Sequence, residues 1–321
     1  MKRVNYDEVS AVYDRRYQAG GPAGIVESLR EVARTVNAHR VVEVGCGTGH
    51  WLTLMPEYEV RCGLDYSAGM LSKARYKDGS VALVRGTAMH LPFPAGAFDM
   101  VFCVHALHHF DDPPAFIHEA RRVLRAGGAL AIVGIDPQTE QDRWYVYETF
   151  PGTYETDVGR YPPGPTIVRW MKEAGLARCE RRLAARIVRE FVGRGVLSDP
   201  VLHKNGTSQF SLLTEEAFLE GMARIREAVE SAERRGEEIV FRTDIACPLV
   251  VGFAGDAEGR NTDWQDWRIK TDRQRRGTLL VRLPGETGQV RARGSSSRWL
   301  YRKLYTNHRG SPCGYAISST A

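Results

Sequence analysis

The stretch Val41-Val42-Glu43-Val44-Gly45-Cys46-Gly47-Thr48-Gly49-His50 decides the fold of this chain. It is an apolar run with a carboxylate just before the first of three glycines, which stand at every second position. Glycine has no Cβ, so the backbone of such a loop can approach a ligand closely. A strand, a glycine loop and a helix in this order usually hold a nucleotide-like ligand. The spacing G-x-G-x-G, with Gly45 and Gly49 four residues apart, differs from the G-x-G-x-x-G pattern of dinucleotide-binding proteins, so it argues against NAD.

Strand and helix patterns alternate on both sides of this loop. The apolar runs predict strands at Arg40–Val44, Val60–Leu64, Val81–Arg85, Phe98–Cys103 and Ala129–Ile135. Helical periodicity predicts helices between them, including Ala68–Tyr76 and Pro114–Leu124, with Gly127-Gly128 as the cap that ends the latter. Upstream, residues 5–18 and 23–36 also have helical spacing. This rhythm predicts an α/β protein with a Rossmann-like, mostly parallel sheet and helices on both faces.

The second half of the chain departs from the regular alternation. An aromatic, polar stretch follows Ile135, and then come a short helix at Pro165–Ala174 and a strand at Ala177–Ile187. Thr214 is a plausible N-cap for a helix that runs to about Ala232, and Ile245–Ala254 is a last apolar strand. About 50 residues lie between the last two strands. We therefore expect an inserted, α-rich cap, with elements at about 137–165 and 190–240, in a domain of residues 1–254.

Charge and cysteine usage bound the class of protein. The chain has 321 residues and a net charge of +5. Residues 255–321 hold 13 of the 44 Lys and Arg and 6 of the 39 Asp and Glu, which leaves a net charge of −2 on residues 1–254. The six cysteines are scattered, and the N-terminus has no apolar signal segment, so we predict a cytoplasmic protein with reduced thiols and no membrane span. The basic tail, residues 255–321, is predicted to be disordered or weakly structured, with at most a hairpin at 279–283 and 289–293.

Five landmarks occur in order along the first part of the chain. They are Tyr6-Asp-x-x-x-x-x-Tyr13-Asp14, the Glu43–Gly49 loop, Gly63-Leu-Asp65-Tyr-Ser67-x-x-Met70, Ala97–Phe110 and Glu119–Gly128. In this arrangement the chain resembles a class I S-adenosylmethionine-dependent methyltransferase. It is most similar in style to the group that includes ubiquinone- and menaquinone-biosynthesis enzymes and many small-molecule methyltransferases. The landmarks cover well under half of the chain.

The resemblance implies S-adenosyl-L-methionine as cofactor and assigns residues to its site. Asp65, at the end of the second strand, is expected to accept hydrogen bonds from the ribose hydroxyls. Family members often have Asp in a Gly-Asp-Ala arrangement after the third strand, whereas this chain has Thr87 there. The full set of predicted cofactor-binding residues is Tyr13, Glu43, Gly45, Cys46, Gly47, Gly49, Asp65, Tyr66, Met70, Thr87, Ala88, Met89 and Val104.

Three histidines follow the fourth strand at the edge of the sheet where ligands bind. A general base there suits methylation of a hydroxyl group, so His105 and His108 are the candidate catalytic residues. The alternative is that the Leu-His-His-Phe run only packs the loop. Asp111 and Asp112 are nearby, but without a second cluster at ligand spacing we predict no metal site. Methyl transfer needs little acid–base help, because alignment of the nucleophile with an activated methyl group supplies most of the rate.

The aromatic stretch 144–161 is expected to wall the acceptor pocket. Tyr145, Tyr147, Tyr154 and Arg160 are the candidate acceptor contacts, with Asp157, His203 and the turn at 205–209 as further candidates. The alternative role for these residues is to hold the cap on the sheet.

Three functions remain open from the sequence. The first is a methyltransferase whose partner is a small-molecule acceptor, which the near-neutral body and the aromatic stretch favour. The second is an RNA or protein methyltransferase that uses the basic tail, although an amine-methylating Asn/Asp-Pro-Pro-aromatic motif is absent where the chain reads Val104-His-Ala-Leu. The third is a cofactor-binding protein without catalysis, or an oxidoreductase. The acceptor, the methylated atom and the oligomeric state are left open.

Overall fold

The structure, a computed structural model, describes residues 4–10, 13–17, 23–139 and 142–255, together with short strands between 269 and 314. The chain divides into two compact units, residues 1–256 and 257–321. In the second unit, Leu279–Arg282 pairs in antiparallel fashion with Gln289–Arg291, where the sequence predicts a hairpin.

One sheet organises the first unit. Its eight strands are β1 (Arg40–Val44), β2 (Val60–Asp65), β3 (Ala82–Arg85), β4 (Phe98–Val104), β5 (Leu124–Val133), β6 (Arg143–Trp144), β7 (Leu176–Val192) and β8 (Val240–Ala254). The order is β3-β2-β1-β4-β5-β8, with β7 on the outer edge of β8 and β6 beside the first part of β8. Strands β1 to β5 are mutually parallel, and β8 is antiparallel to its neighbours. The predicted α/β class and mostly parallel sheet are confirmed.

The helices begin at side-chain caps where the sequence provides them. Ser67, Asp112 and Thr214 each accept a hydrogen bond from a backbone N–H in the first turn of the following helix. The helices are α1 (Tyr6–Val9), α2 (Ala23–Thr35), α3 (His50–Thr53), α4 (Ala68–Lys77), α5 (Pro113–Val123), α6 (Tyr145–Thr149), α7 (Thr153–Arg160), α8 (Gly164–Glu173), α9 (Ser208–Leu212) and α10 (Glu215–Arg235). Single 3-10 turns occur at Tyr13–Tyr17, Leu107–His109 and Gly193–Ser198.

One predicted cap is wrong. Helix α5 ends at Val123, and the chain passes directly into β5 at Leu124, so Gly127 and Gly128 lie inside the strand. A Cβ on Gly128 would lie 2.8 Å from the carbonyl oxygen of Asp99 on β4. This glycine therefore permits close approach of two backbones.

The main apolar core lies around β1, β4 and β5. All seven residues of β4 are buried, as expected for a parallel strand covered on both faces. The predicted apolar face of α2 is also buried, since Ile25, Leu29, Val32 and Val36 are each at most 7% exposed. This core fixes the carboxyl ends of β1, β2 and β4 at one edge of the sheet.

Strands β7 and β8 continue well past that edge. Strand β8 pairs with β5 only through Leu249–Phe253. The strand extension, formed by residues 183–192 of β7 and 240–248 of β8, projects beyond the carboxyl end of β5. The sequence predicts β7 to end at Ile187 and β8 to begin at Ile245, five residues short in each case. Charged residues such as the facing pair Glu190 and Arg242, whose side chains bond at 2.8 Å, hide the strand pattern.

A second apolar cluster packs on the strand extension. Helices α6 and α10 bury Phe150, Phe218 and Ile225 against one another, together with Phe210 of α9 and Phe241 of β8. The approach is close at Gly221 of α10, where a Cβ would lie 2.1 Å from the Phe150 ring. The inserted, α-rich cap that the sequence predicts therefore has its own core.

Candidate active site

The glycine loop leaves β1 and turns under the exit of β4. The N–H of Gly45 donates to the carbonyl oxygen of Leu64 on β2 at 2.8 Å. Gly45, Gly47 and Gly49 have φ of 75°, 52° and 71°, which L side chains rarely adopt. A Cβ on Gly45 would lie 2.5 Å from Cβ of Ala106. The loop therefore needs glycine both for its backbone conformation and for its contact with the β4 exit.

Asp65 sits at the end of β2 beside this loop. Its Oδ2 accepts the N–H of Gly47 at 2.7 Å, and its Oδ1 accepts the N–H of Ser67 at 2.8 Å. Burial raises the pKa of the Asp65 carboxyl, while these N–H donors oppose the rise. A carboxylate has about four acceptor positions, so each oxygen can accept one further hydrogen bond. The geometry is suited to a ligand with two neighbouring hydroxyl groups.

Glu43 is a buried carboxylate with an unsatisfied oxygen. Its residue is 1% exposed, and Oε2 has no hydrogen-bond partner among the described residues. Burial raises the pKa of Glu43 well above its usual range, and the nearby Asp65 raises it further. Buried polar atoms are normally hydrogen-bonded. The unpaired oxygen therefore fits a ligand donor, such as an amino group, reaching it directly or through water.

The other predicted cofactor residues divide by exposure. Cys46, Met70, Ala88 and Val104 are buried, whereas Tyr66 is 75% exposed. Thr87 and Met89 belong to one tight turn, in which the Met89 N–H donates to the Thr87 hydroxyl at 3.4 Å. The structure thus places the Thr87 hydroxyl in a local turn beyond β3.

An N-terminal lid, residues 6–10 and 13–17, is fastened over the loop by two carboxylates. Asp7 accepts the N–H of Gly69 at 2.8 Å, and Asp14 accepts from Thr48 at 2.6 Å and Lys77 at 2.7 Å. The predicted residue Tyr13 lies in this lid. Its ring is 3.9 Å from the position of a Cβ on Gly47. Sequence reasoning used Asp14 only as a landmark and did not assign either carboxylate to the site, although both follow a lid tyrosine directly.

The histidine segment lies at the exit of β4. His105 has φ of 49° and donates its N–H to the carbonyl oxygen of Val133 at 2.8 Å. The His108 ring stacks on Tyr161 at 3.9 Å, and its Nε2 is buried without a hydrogen-bond partner in the described ranges. Nε2 of His109 lies 2.6 Å from the Tyr6 hydroxyl. A cleft lined by His105, His108 and Tyr161 opens beside these rings, between β5 and α8.

Burial keeps these imidazoles neutral. It lowers the pKa of His105 to about 4 and that of His109 to about 3, and it lowers the pKa of His108 well below its usual value. The positive charge of Arg16 lowers all three further. Each neutral imidazole has a ring nitrogen that can accept a proton, but pKa values this far below neutral pH make these histidines weaker bases than an ordinary histidine.

The lowered pKa of His109 predicts a pH-dependent stability. Between pH 6.5 and about 3 the unfolded chain binds the proton more readily than the folded one. The contribution of neutral His109 to the free energy of unfolding is therefore fully present above pH 6.5. It is lost as the pH falls, by at most about 1.4 kcal/mol per pH unit for one histidine. We expect His109→Gln to flatten the fall in the free energy of unfolding between pH 6.5 and 4.5, measured by urea titration. His118→Gln, at an exposed position, is the control, and equal slopes for both variants would contradict the prediction.

The predicted acceptor residues form two groups in the cap. Asp157 is buried and accepts from Tyr147 at 2.9 Å, from Arg160 at 2.7 Å and from Gln209. Tyr145 instead donates to Asp199 at 2.8 Å beside the strand extension. The structure thus joins Tyr147, Asp157 and Arg160 in one network and places Tyr145 in another.

Further residues complete the wall of the site. Tyr154 is 44% exposed and places its ring edge against Tyr147 at 5.3 Å. The turn at 205–209 meets the lid, because Arg16 donates to the carbonyl oxygen of Gly206 at 3.0 Å. Sequence reasoning missed Arg16, which has no local pattern that distinguishes it from other arginines nearby. Tyr161 ends the aromatic stretch 144–161 that was expected to wall the acceptor pocket, but it was not named as an acceptor contact.

The described part of the chain holds no group of three His, Cys, Asp or Glu side chains that could bind a metal ion. None of its helices is long and apolar enough to cross a membrane.

Comparison with known proteins identifies the domain around the glycine loop. Residues 42–132 match the family model described as a methyltransferase domain. The chain is 28% identical over 247 residues to malonyl-acyl-carrier-protein O-methyltransferase of Hahella chejuensis, which covers 73% of this chain and 83% of that protein. It is 33% identical over 136 residues to demethylmenaquinone methyltransferase of Geobacillus kaustophilus, with 38% and 58% of the two chains covered.

A solved structure shares the fold. It is that of a candidate methyltransferase from an antibiotic biosynthesis pathway of Anabaena variabilis. The TM-score is 0.56 at 19% identity, and the match covers 72% of this chain and 97% of that one. The fold of the first unit, with its sheet order, is therefore a known architecture.

Proposed function

We propose that this chain, a class I S-adenosylmethionine-dependent methyltransferase, transfers the methyl group to a small-molecule acceptor. The observation that carries the proposal is the cleft beside His105 and His108, at the carboxyl edge of the sheet. The lid and the cap are in contact, because Arg16 donates to the carbonyl oxygen of Gly206. One relative supports the same class, since it is named for demethylmenaquinone, whereas the other is named for a malonyl group carried on a protein.

The residues of the glycine loop fit the methyl donor. The free acceptor positions of Asp65 and the unsatisfied Oε2 of Glu43 match its hydroxyl and amino groups. When bound, S-adenosyl-L-methionine supplies an electrophilic methyl group on a sulfonium. The Asp7 and Asp14 contacts hold the lid down and exclude water.

The protein contributes to the reaction mainly by aligning the acceptor atom with the methyl group, and to a smaller extent by accepting the acceptor's proton. A dry, closed site holds the acceptor's nucleophilic atom in line with the methyl group. If that atom is a hydroxyl oxygen, its proton passes to a neutral imidazole, for which His105 and His108 are the candidates. The position of these histidines at the exit of β4, where Ala106 contacts the glycine loop at Gly45, supports this role.

The proposal is tested with methyl-labelled S-adenosylmethionine and a fractionated cell extract. We expect label in the low-molecular-weight fraction, with the product identified by mass spectrometry. Label in RNA or in protein instead would overturn the proposal and favour the alternative that uses the basic tail. Titration calorimetry with S-adenosylmethionine and with NAD is the accompanying measurement, and binding of NAD alone would also overturn it.

A further inference from the structure

Arg16 of the lid is a guanidinium without an anionic partner. It forms no ion pair with any carboxylate of the described residues, and its Nε is buried without a hydrogen-bond partner there. Its guanidinium lies 3.8 Å from the centre of the Tyr13 ring and donates to the carbonyl oxygen of Gly206 at 3.0 Å. Cations removed from water are normally paired with a negative charge, because the loss of hydration is costly.

Arg160 of the cap is a second buried guanidinium close to the first. Its side chain is 5% exposed, and it donates to Asp157 at 2.7 Å and to the Ser208 hydroxyl at 3.2 Å. Its Nε has no hydrogen-bond partner within the described ranges. Arg16 and Arg160 thus bind the same turn, at Gly206 and Ser208, from two different parts of the chain.

Both positive charges act on the histidine segment. A continuous series of ring contacts connects the two guanidinium groups. On the lid side, Arg16 lies over the Tyr13 ring, Tyr13 contacts Tyr6, and Tyr6 contacts His109. On the cap side, His109 contacts His108, His108 stacks on Tyr161, and Arg160 lies 5.8 Å from the Tyr161 ring. The charges of Arg160 and Arg16 each lower the pKa of His109, after the larger effect of burial.

The charge balance at the turn formed by residues 206–208 is therefore positive. Two guanidinium groups contact this turn, and Asp157, the carboxylate paired with Arg160, already accepts three side chains. The tyrosines cannot supply the missing negative charge, because burial raises the pKa of Tyr6 and Tyr161 well above the usual value. The imidazoles are neutral.

We infer that the acceptor carries a carboxylate or phosphate group, which docks between Arg16 and Arg160 beside the histidine segment. Guanidinium groups bind such anions through charge-assisted, often paired hydrogen bonds. The inference rests on the proposed function and adds a substrate class to it. The other source of the same chemistry is the carboxylate of the methyl donor itself. We assign the anion to the acceptor because Arg160 and the turn at residues 206–208 belong to the cap, whereas the proposed donor site is formed by the glycine loop, β2 and the lid.

The first experiment separates the two sources. Affinity for S-adenosylhomocysteine, which has the donor's carboxylate, is measured by calorimetry for the wild type, Arg16→Gln and Arg160→Lys. Arg160→Lys keeps a positive charge beside Asp157, so the fold is retained without the planar guanidinium. We expect affinities within about threefold of the wild type, with Arg15→Gln at an exposed neighbouring position as the control. A loss of tenfold or more in Arg16→Gln would assign the anion site to the donor and overturn the inference.

The second experiment tests the acceptor class. The protein loaded with S-adenosylhomocysteine is titrated with malonate, inorganic phosphate and the uncharged malonamide at constant ionic strength, and the shift in melting temperature is recorded. We expect at least one anion to stabilise the wild type and Arg15→Gln, malonamide to have no effect, and Arg16→Gln to weaken the anion's apparent affinity roughly 10- to 100-fold. If neither anion stabilises the wild type more than malonamide does, or if the anion stabilises the wild type and Arg16→Gln equally, the inference is contradicted. A labelled product that is small but uncharged would sink this inference and leave the proposed function standing, whereas label in a macromolecule would remove both.

Discussion

Asp65→Ala is expected to lower the affinity for S-adenosylmethionine at least about 100-fold, because it removes charge-assisted hydrogen bonds on both sides of the site. Asp65 holds the N–H of Gly47 at 2.7 Å and the N–H of Ser67 at 2.8 Å. Without it the glycine loop loses its anchor, and a bound ribose loses the acceptor for its hydroxyl groups. Calorimetric titration of the purified variant measures the effect.

A matched carboxylate provides the control for Asp65. Asp78 ends helix α4 and pairs with Arg61 at 2.8 Å, away from the glycine loop. Asp78→Ala is expected to lower stability while leaving the affinity within about threefold of the wild type. Circular dichroism of both variants checks that the fold is retained. If Asp65→Ala binds the donor as tightly as Asp78→Ala does, the assignment of the ribose site is wrong.

Asp157→Ala is expected to lower the free energy of unfolding by about 3–5 kcal/mol, the usual result of removing one partner of a buried ion pair. The change leaves Arg160, whose side chain is 5% exposed, without its carboxylate. It also leaves Tyr147 and Gln209 without an acceptor. Urea unfolding followed by tryptophan fluorescence gives the value, and Trp144 in the cap core reports on this region directly.

An exposed ion pair is the control for Asp157. It measures the loss in the free energy of unfolding that is expected when the removed carboxylate is not buried. Glu220 and Arg224 pair at 2.6 Å on α10, and both side chains are about half exposed. Glu220→Ala is expected to cost less than about 1 kcal/mol. An equally small loss in Asp157→Ala would show that the network around it is open to water, and would weaken the description of a closed cap.

The central sheet could be predicted from the sequence because its strands are apolar on both faces. The runs at β1 and β4 have no other plausible location than a buried parallel sheet, and the glycine loop between β1 and α3 follows from residue type alone. The short helix α3 was not predicted, since His50–Thr53 is too brief to show a period. Residues 5–18, predicted as one helix, form α1 and a separate 3-10 turn within the described residues.

The cap shows where sequence reasoning stops. Residues such as Arg189 and Glu190 lie in a β-strand that is exposed on one face, so they resemble loop residues until the pairing partner is known. The two predicted histidines, His105 and His108, line the same cleft. Their location could be predicted because both follow β4 at the carboxyl edge of the sheet. Arg16 could not be found in this way. Its burial depends on contact with Gly206, 190 residues away, and no local pattern encodes that contact.

The strand extension allows the cap to change in sequence while the glycine loop stays the same. From Leu249 to Val240, β8 runs nine residues, or about 30 Å, without support from β5. The residues proposed to hold the methyl donor lie before this extension in the chain, and the cap helices α6, α9 and α10 pack on it. Substitutions, insertions and new helices on this extension can therefore alter the choice of acceptor without disturbing the donor-binding loop. One catalytic chemistry can thus serve different metabolites in different lineages.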